Sequence, residues 1–242
     1  IAGTLVSNGN AINSFYSYKF DKLDSEGYPV FKDVNEKDED GNAVVHSQQE
    51  MFDRAFVYSG KREADLNGGF SAFLKYKNIS LNALFLFRFG STIRLNDLYQ
   101  SSGQNLPYPD QNMSSEFVDR WRVPGDEERT NIPVLSDKSL AIRNSDVTYR
   151  IADNGWDMYN KSDLRVVSGS FLRCRSMSIR YDLKPEWLKP LYLKGASVSF
   201  DAGNVFVLKD KALKGRDPEQ IGLGSRSIPP QRSYAVRISL TL

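Results

Sequence analysis

The residue types that most often carry catalysis are scarce in this chain of 242 residues. Cys174 is its single cysteine and His46 its single histidine. One cysteine cannot form an intrachain disulfide or a multi-cysteine metal site, and nucleophile–base pairs usually need a histidine among partners. His46 lies in the polar stretch VVHSQQE and is expected to be an exposed loop residue. The chain is predicted not to be an enzyme, with no catalytic residue and no cofactor, although carboxylate-pair hydrolysis stays open.

An acidic run, DVNEKDEDGN, could hold calcium through clustered carboxylate oxygens. Within it Asp38, Asp40 and Asn42 have the i, i+2, i+4 spacing of an EF-hand loop. That loop would then need glycine where Ala43 stands and glutamate where Gln49 stands, so the pattern fails twice. A solvated acidic loop is favoured over a calcium site of another type, and no metal site is predicted.

Two of the three tryptophans and several tyrosines lie between residues 91 and 165. Sugar faces stack on aromatic rings, so these side chains are the candidates for substrate binding. Aromatic residues also pack loops together and form girdles at membrane interfaces, and loop packing is the favoured role. The candidates are Tyr99, Tyr108, Trp121, Trp156 and Tyr159.

The last eleven residues, RSYAVRISLTL, alternate strictly between apolar and polar side chains. Successive side chains of a strand point to opposite faces, so this segment is a strand with one apolar and one polar face. Its length suits a tilted strand that crosses a bilayer, which needs about 9–11 residues. The pattern is typical of a transmembrane β-barrel.

Four more segments have strand periodicity: 69–77, 78–90, 196–208 and one strand within 166–183. The first two meet at Lys77 and Asn78, which predicts a tight hairpin turn. In 166–183 the alternation changes parity, and a β-bulge near Arg175–Ser176 would restore it. The alternative is that the upper half of this strand stands clear of lipid. Prolines at both ends of the next segment, LKPEWLKPL, predict one short helical turn, with Trp187 as an interface anchor.

Three arginines, Arg173, Arg175 and Arg180, could bind an anion. Arg173 and Arg175 are expected to share one face, whereas Arg180 lies beyond the parity change. Because no partner group is visible near them in the sequence, lumen-facing or loop charges are the favoured interpretation.

Short and long connections alternate along the chain. Long loops are expected at about 21–68, 91–165 and 209–231, and whether residues 11–20 form a strand stays open. Outer-membrane barrels have short periplasmic turns and long external loops. The 77/78 turn, the 183–194 connection and the C-terminus are therefore expected on the periplasmic side.

Composition limits the other classes of function. No run of 18 apolar residues exists, which excludes a transmembrane helix. The 32 basic and 30 acidic residues nearly balance, so no nucleic-acid partner is predicted. The apolar strand faces contain no charge, which favours a membrane barrel but also fits a soluble β-sandwich.

Six stretches, in sequence order, carry a resemblance to a known family. They are NSFYSYKFDKLDSEGYPVFKDVN, YSGKREADLNGGFSAFLKYKNISLNALFLFRFG, RWRVPGDEERTNIPVL, GSFLRCRSMSIRYDLKPEWLKPL, GNVFVLKDKALKGRDPE and PPQRSYAVRISLTL. Together they resemble the C-terminal part of the SusC/RagA-type TonB-dependent outer-membrane transporters. Two residues depart from that family's pattern: the terminal Leu242, where an aromatic residue is usual, and Cys174, where an aliphatic residue is usual.

The resemblance implies an all-β fold in which residues 1–242 form the C-terminal barrel segment. It also implies a plug domain, absent from this chain, so the chain is expected to be a fragment. The implied function is import of an oligosaccharide or peptide across the outer membrane of a Gram-negative cell. The implied partners are a SusD-type surface lipoprotein, the TonB complex and outer-membrane lipid. The alternative is a soluble all-β carbohydrate-binding module.

Overall fold

The computed structural model describes residues 9–32, 39–40, 54–99, 113–135, 155–221 and 229–242. The fold is all-β, built mostly of antiparallel strands. No helix among the described residues is long and apolar enough to cross a membrane. The described strands are β1 (Ser14–Tyr18), β2 (Phe20–Leu23), β3 (Pro29–Phe31), β4 (Phe56–Lys61), β5 (Leu66–Tyr76), β6 (Ile79–Phe89), β7 (Thr92–Arg94), β8 (Val166–Ser168), β9 (Phe171–Asp182), β10 (Gly195–Lys209) and β11 (Ser233–Thr241).

The chain divides into two compact units, one of residues 1–62 and 93–167 and the other of residues 63–92 and 168–242. The second unit contains a five-stranded antiparallel sheet in the order β11-β10-β9-β6-β5. These are the five strands that the alternation predicts, and β5 begins three residues earlier than expected, at Leu66. The predicted hairpin turn is confirmed, with Lys77 at a positive φ of 52°.

The predicted β-bulge is also confirmed, at Arg175. In the pairing of β6 with β9, Leu84 lies opposite Ser176 and Phe85 opposite Cys174, so Arg175 is the extra residue. An extra residue resets the alternation. As a result Arg173 and Arg180 share the polar face, although Arg180 lies beyond the change in parity.

The short connections lie at one end of the sheet. Tyr76 and Tyr181 both pair with Ile79, and Gly195 pairs with Thr241. The 77/78 turn, the 183–194 connection and the end of β11 are therefore neighbours, and the segments that follow β6 and β10 leave from the opposite end. The predicted helical turn is present as α2 (Pro185–Leu188), followed by a 3-10 turn, Lys189–Leu191.

The other unit contains two strand pairs, β1 with β4 and β2 with β3, together with α1 (Gly155–Asn160). Much of it falls in segments expected to be loops. All five residues of β1 are buried, so this strand has no exposed face and no alternation to detect. Its last residue, Tyr18, joins a largely aromatic core that contains Trp156, Met158 and Tyr159.

Candidate functional site

One face of the five-stranded sheet is apolar along its whole width. A row that crosses all five strands through the pairing register consists of Val236, Phe200, Ile179, Leu81 and Leu74. The neighbouring rows on this face are also apolar, and among the described strands none of them contains a charged side chain. We call this surface the apolar face.

The apolar face is open rather than packed. Val236, Ile238 and Leu240 in β11 are 68, 67 and 62% exposed, and Phe200 and Leu74 are exposed as well. Monomeric soluble proteins rarely expose apolar patches larger than a few hundred Å², and larger ones mark contact with membranes or other proteins. The apolar face is therefore suited to contact with an apolar medium or an apolar partner.

The opposite face of the sheet is polar and carries its own ion pairs. Arg180 Nε donates to Asp182 Oδ1 at 2.8 Å, and Arg237 lies 3.9 Å from Asp201. The neighbouring positions on this face include Ser178 and other serines. A sheet with one apolar and one hydrated face is what separates lipid from a water-filled lumen in a barrel wall.

A buried ion-pair cluster on the polar face attaches the segment after β10 to β9. The Arg173 guanidinium donates to both carboxylate oxygens of Asp217 at 2.7 Å and lies 2.9 Å from Glu219 Oε2. Lys209 Nζ donates to the carbonyl oxygen of Gly215 at 2.8 Å. Sequence reasoning missed this cluster, because Asp217 is 44 residues from Arg173 and no local pattern joins them.

Three of the predicted aromatic candidates come together in the first unit. The ring centroids of Tyr99 and Trp156 are 5.4 Å apart, and those of Trp156 and Tyr159 are 5.5 Å apart. Trp156 and Tyr159 are only 1 and 3% exposed, whereas Tyr99 is partly exposed. Burial raises the pKa of Tyr159 to about 12. Of the three, Tyr99 is the most exposed.

The other two candidates lie elsewhere. Trp121 packs against Gly27, and its indole Nε1 donates to Glu127 Oε2 at 2.9 Å. That hydrogen bond is the main reason why the pKa of Glu127 is lowered. Tyr108 lies outside the described residues. Substrate binding by any of these aromatic residues stays a prediction.

Polar groups in the interior of this unit are occupied in holding segments together. Arg165 donates to Glu116 Oε2 at 2.8 Å and to the carbonyl oxygen of Asn96 at 2.7 Å, and both charged side chains are buried. Arg94 donates to the carbonyl oxygen of Tyr16, and burial lowers its pKa to about 10. Such contacts fix loop conformation rather than present reactive groups.

No group of three or more metal-ligating side chains occurs within the described ranges. Of the acidic run, Asp40 is described, whereas Asp38, Asn42 and the nearby His46 lie outside those ranges. The predicted acidic loop therefore stays untested.

No protein-family model matches the chain, and no curated protein sequence matches it. Several solved structures do match the chain. The chain is 21% identical to a chain of the RagAB peptide importer in its closed-closed state, with a TM-score of 0.61. It is 20% identical to a chain of the open-open state, with a TM-score of 0.59, and 22% identical to a chain of a RagAB peptide transporter structure, with a TM-score of 0.62.

These matches cover 99–100% of this chain but only 24–25% of the solved chains. The chain therefore spans about a quarter of the length of the proteins that it resembles. At this identity the likeness shows the fold.

Proposed function

We propose that this chain is the C-terminal barrel segment of a SusC/RagA-type outer-membrane transporter that imports a large nutrient. The observation that carries the proposal is the apolar face, which crosses five strands without a charged side chain and stays exposed. The strands β5, β6, β9, β10 and β11 have 9 to 15 residues, enough to cross a bilayer at a tilt. The likeness to the RagAB peptide importer supports the same function.

In this proposal the apolar face contacts outer-membrane lipid and the polar face lines the lumen. The end of the sheet with short connections, including the C-terminus, lies in the periplasm of a Gram-negative cell. The long connections lie outside, where they contact the substrate and a SusD-type lipoprotein lid. The TonB complex supplies energy through a plug in the rest of the protein, and the chain itself performs no catalysis.

The substrate class we propose is a peptide or an oligosaccharide. The solved structures with a similar fold are named as a peptide importer and a peptide transporter, which favours the peptide. Of the aromatic candidates that the structure describes, Tyr99 is the most exposed, and we propose it for contact with either substrate.

A soluble carbohydrate-binding module is the less favoured function. In a β-sandwich the apolar faces of two sheets pack together about 10 Å apart. Val236 and Ile238 instead remain exposed, and β11 has no strand beyond it among the described residues. A soluble module with this surface would be expected to aggregate.

The membrane assignment is tested by Ile238→Arg, with Ser239→Arg as the matched control, in the full-length protein expressed in its host. Ile238 lies on the apolar face and Ser239 on the polar face of the same strand. An arginine facing the middle of the bilayer costs about 2–4 kcal/mol, so Ile238→Arg should lower the amount of protein in the outer membrane at least several-fold. Ser239→Arg should leave it near the wild-type amount. Equal amounts of the two variants would contradict the proposal.

Transport is tested separately by uptake of labelled peptides and labelled oligosaccharides into cells. We expect uptake of one class to disappear when the gene is deleted and when a protonophore removes the proton-motive force. Uptake that survives both treatments would show that the protein is not an energised importer of either class.

A further inference from the structure

Four lysines cluster at the end of the sheet where the connections are short. Lys77 lies in the turn between β5 and β6, and Lys184, Lys189 and Lys194 lie in the connection between β9 and β10. All four side chains are exposed. We call these residues the lysine collar.

Hydrogen bonds hold the segments of the lysine collar close together. Asn78 Nδ2 donates to the carbonyl oxygen of Asp182 at 2.8 Å, and the Asp182 amide donates back to the Asn78 carbonyl oxygen at 2.8 Å. These bonds tie the turn of Lys77 to the start of the connection. The Lys194 amide donates to the carbonyl oxygen of Thr241 at 2.8 Å, which places Lys194 beside the end of β11.

Exposed aromatic side chains lie in the same short segments as the four lysines. Trp187 is 54% exposed and Tyr192 is 92% exposed, and Tyr192 has a positive φ of 55°, a conformation that glycine or asparagine adopts more readily. Lys77 Nζ lies 5.3 Å from the ring centroid of Tyr76, and Lys184 Nζ lies 5.8 Å from that of Trp187. Tyr76 itself ends the apolar face, so rings and ammonium groups meet at its border.

The charge at this end is unbalanced. No salt bridge joins a lysine of the collar to a carboxylate in the described part of the chain. Asp182, the nearest acidic residue of β9, is paired with Arg180. Glu186 is the one acidic side chain within the 183–194 connection. Four exposed ammonium groups are thus left beside an apolar surface.

We propose that the lysine collar binds the headgroups of anionic phospholipids in the leaflet at this end of the sheet. The inference rests on the proposed membrane location. Aromatic rings anchor proteins at the headgroup level, and lysines extend their apolar stems so that the ammonium group reaches phosphate. A lysine near an anionic surface contributes about 1 kcal/mol, or roughly a fivefold preference.

An acidic soluble protein is the alternative occupant, and it fits less well. Such a protein would satisfy the lysines, but it would not account for tryptophan and tyrosine side chains exposed at the border of the apolar face. An anionic lipid satisfies both, because its acyl chains cover the face and its phosphate meets the ammonium groups.

The test uses the full-length transporter, purified from the membrane and placed in nanodiscs of phosphatidylcholine with phosphatidylglycerol. Lipid bound to the protein is measured by native mass spectrometry. The test variant changes Lys77, Lys184, Lys189 and Lys194 to glutamine. The control variant changes four exposed lysines elsewhere, Lys19, Lys22, Lys211 and Lys214, to glutamine and so loses the same charge.

We expect the wild type and the control to retain phosphatidylglycerol in preference to phosphatidylcholine, and the collar variant to lose that preference by about tenfold or more. An equal loss in both variants, or no preference in the wild type, would overturn the inference. Retention of an acidic protein at the collar in place of lipid would also overturn it.

The outcome is separable from that of the proposed function. If the wild-type protein resides in the outer membrane and imports substrate but shows no phosphatidylglycerol preference, the collar inference alone fails. If the protein is not found in the membrane, the proposed function fails first.

Discussion

Arg173 in β9 donates through one guanidinium nitrogen to both carboxylate oxygens of Asp217, and both side chains are at least 95% buried. The contact attaches the segment after β10 to the polar face of the sheet. In the proposed transporter this segment lies outside the membrane, and the ion pair holds its first residues against the sheet.

Asp217→Asn should loosen that segment. Removing one partner of a buried ion pair costs about 3–5 kcal/mol when the other charge is left uncompensated. Glu219 still lies 2.9 Å from Arg173 in this variant, so we expect a cost at the lower end of that range. The rate of proteolytic cleavage within 209–221 should therefore rise by roughly a hundredfold, because cleavage follows the population of the open segment. Glu219→Gln is the control, since the Glu219 side chain is 45% exposed and an exposed pair contributes about 1 kcal/mol or less. Similar rates for the two variants would contradict the assigned role of Asp217.

Glu127 should make the loop around Trp121 sensitive to acid. The Trp121 indole lowers the pKa of the carboxyl below its ordinary value of 4.5. Because the Glu127 carboxyl has a lower pKa in the folded loop than in the unfolded chain, its ionised form stabilises the loop at pH values above the ordinary pKa. That stabilisation is lost as the pH falls through the pKa of the folded state. Glu127→Gln should remove this part of the pH dependence, measured as Trp fluorescence during thermal unfolding. Glu128→Gln should retain it, and a flat wild-type profile at acidic pH would argue against the contact.

Gly27 should tolerate no side chain, for two separable reasons. It has a φ of +81°, and a Cβ there would lie 2.5 Å from Cδ2 of Trp121. Gly125 has a φ of +100° but open space around it. Gly125→Ala should cost about 1–2 kcal/mol from the backbone alone, and Gly27→Ala about 1–3 kcal/mol more from overpacking. Protease sensitivity of 113–135 measures the difference, and equal effects would mean that Trp121 can move aside freely.

Deletion of Arg175 should leave the facing of β9 intact. Without it, Cys174 and Met177 remain on the apolar face, because the strand then alternates regularly past Ser176. Deletion of Ser178 has the opposite effect. If the bulge is kept, Ile179 turns toward the polar face; if the bulge is lost, Met177 turns toward the polar face instead. Outer-membrane levels of the full-length variants distinguish the two, and we expect the Arg175 deletion to be the better tolerated. Equal loss would indicate that the bulge itself is required.

The sequence alone predicted the five long strands and the hairpin at Lys77, and it offered a bulge near Arg175–Ser176 as one of two explanations for the change in parity. The reason is local: a pleated strand with one apolar face must alternate, and an extra residue must reset the alternation. The same pattern does not reveal β1, since a strand buried on both faces loses its alternation.

Tertiary structure decided what depends on residues far apart in the chain. It brought Asp217 to Arg173 across 44 residues and buried Trp156 beneath Tyr99, where the sequence left substrate stacking and loop packing both open. It also set the strand order that joins separate apolar stripes into one face, and gathered Lys77 and Lys194 at one end of the sheet. Pairing and burial are properties of the folded chain, because each needs a partner that local periodicity does not specify.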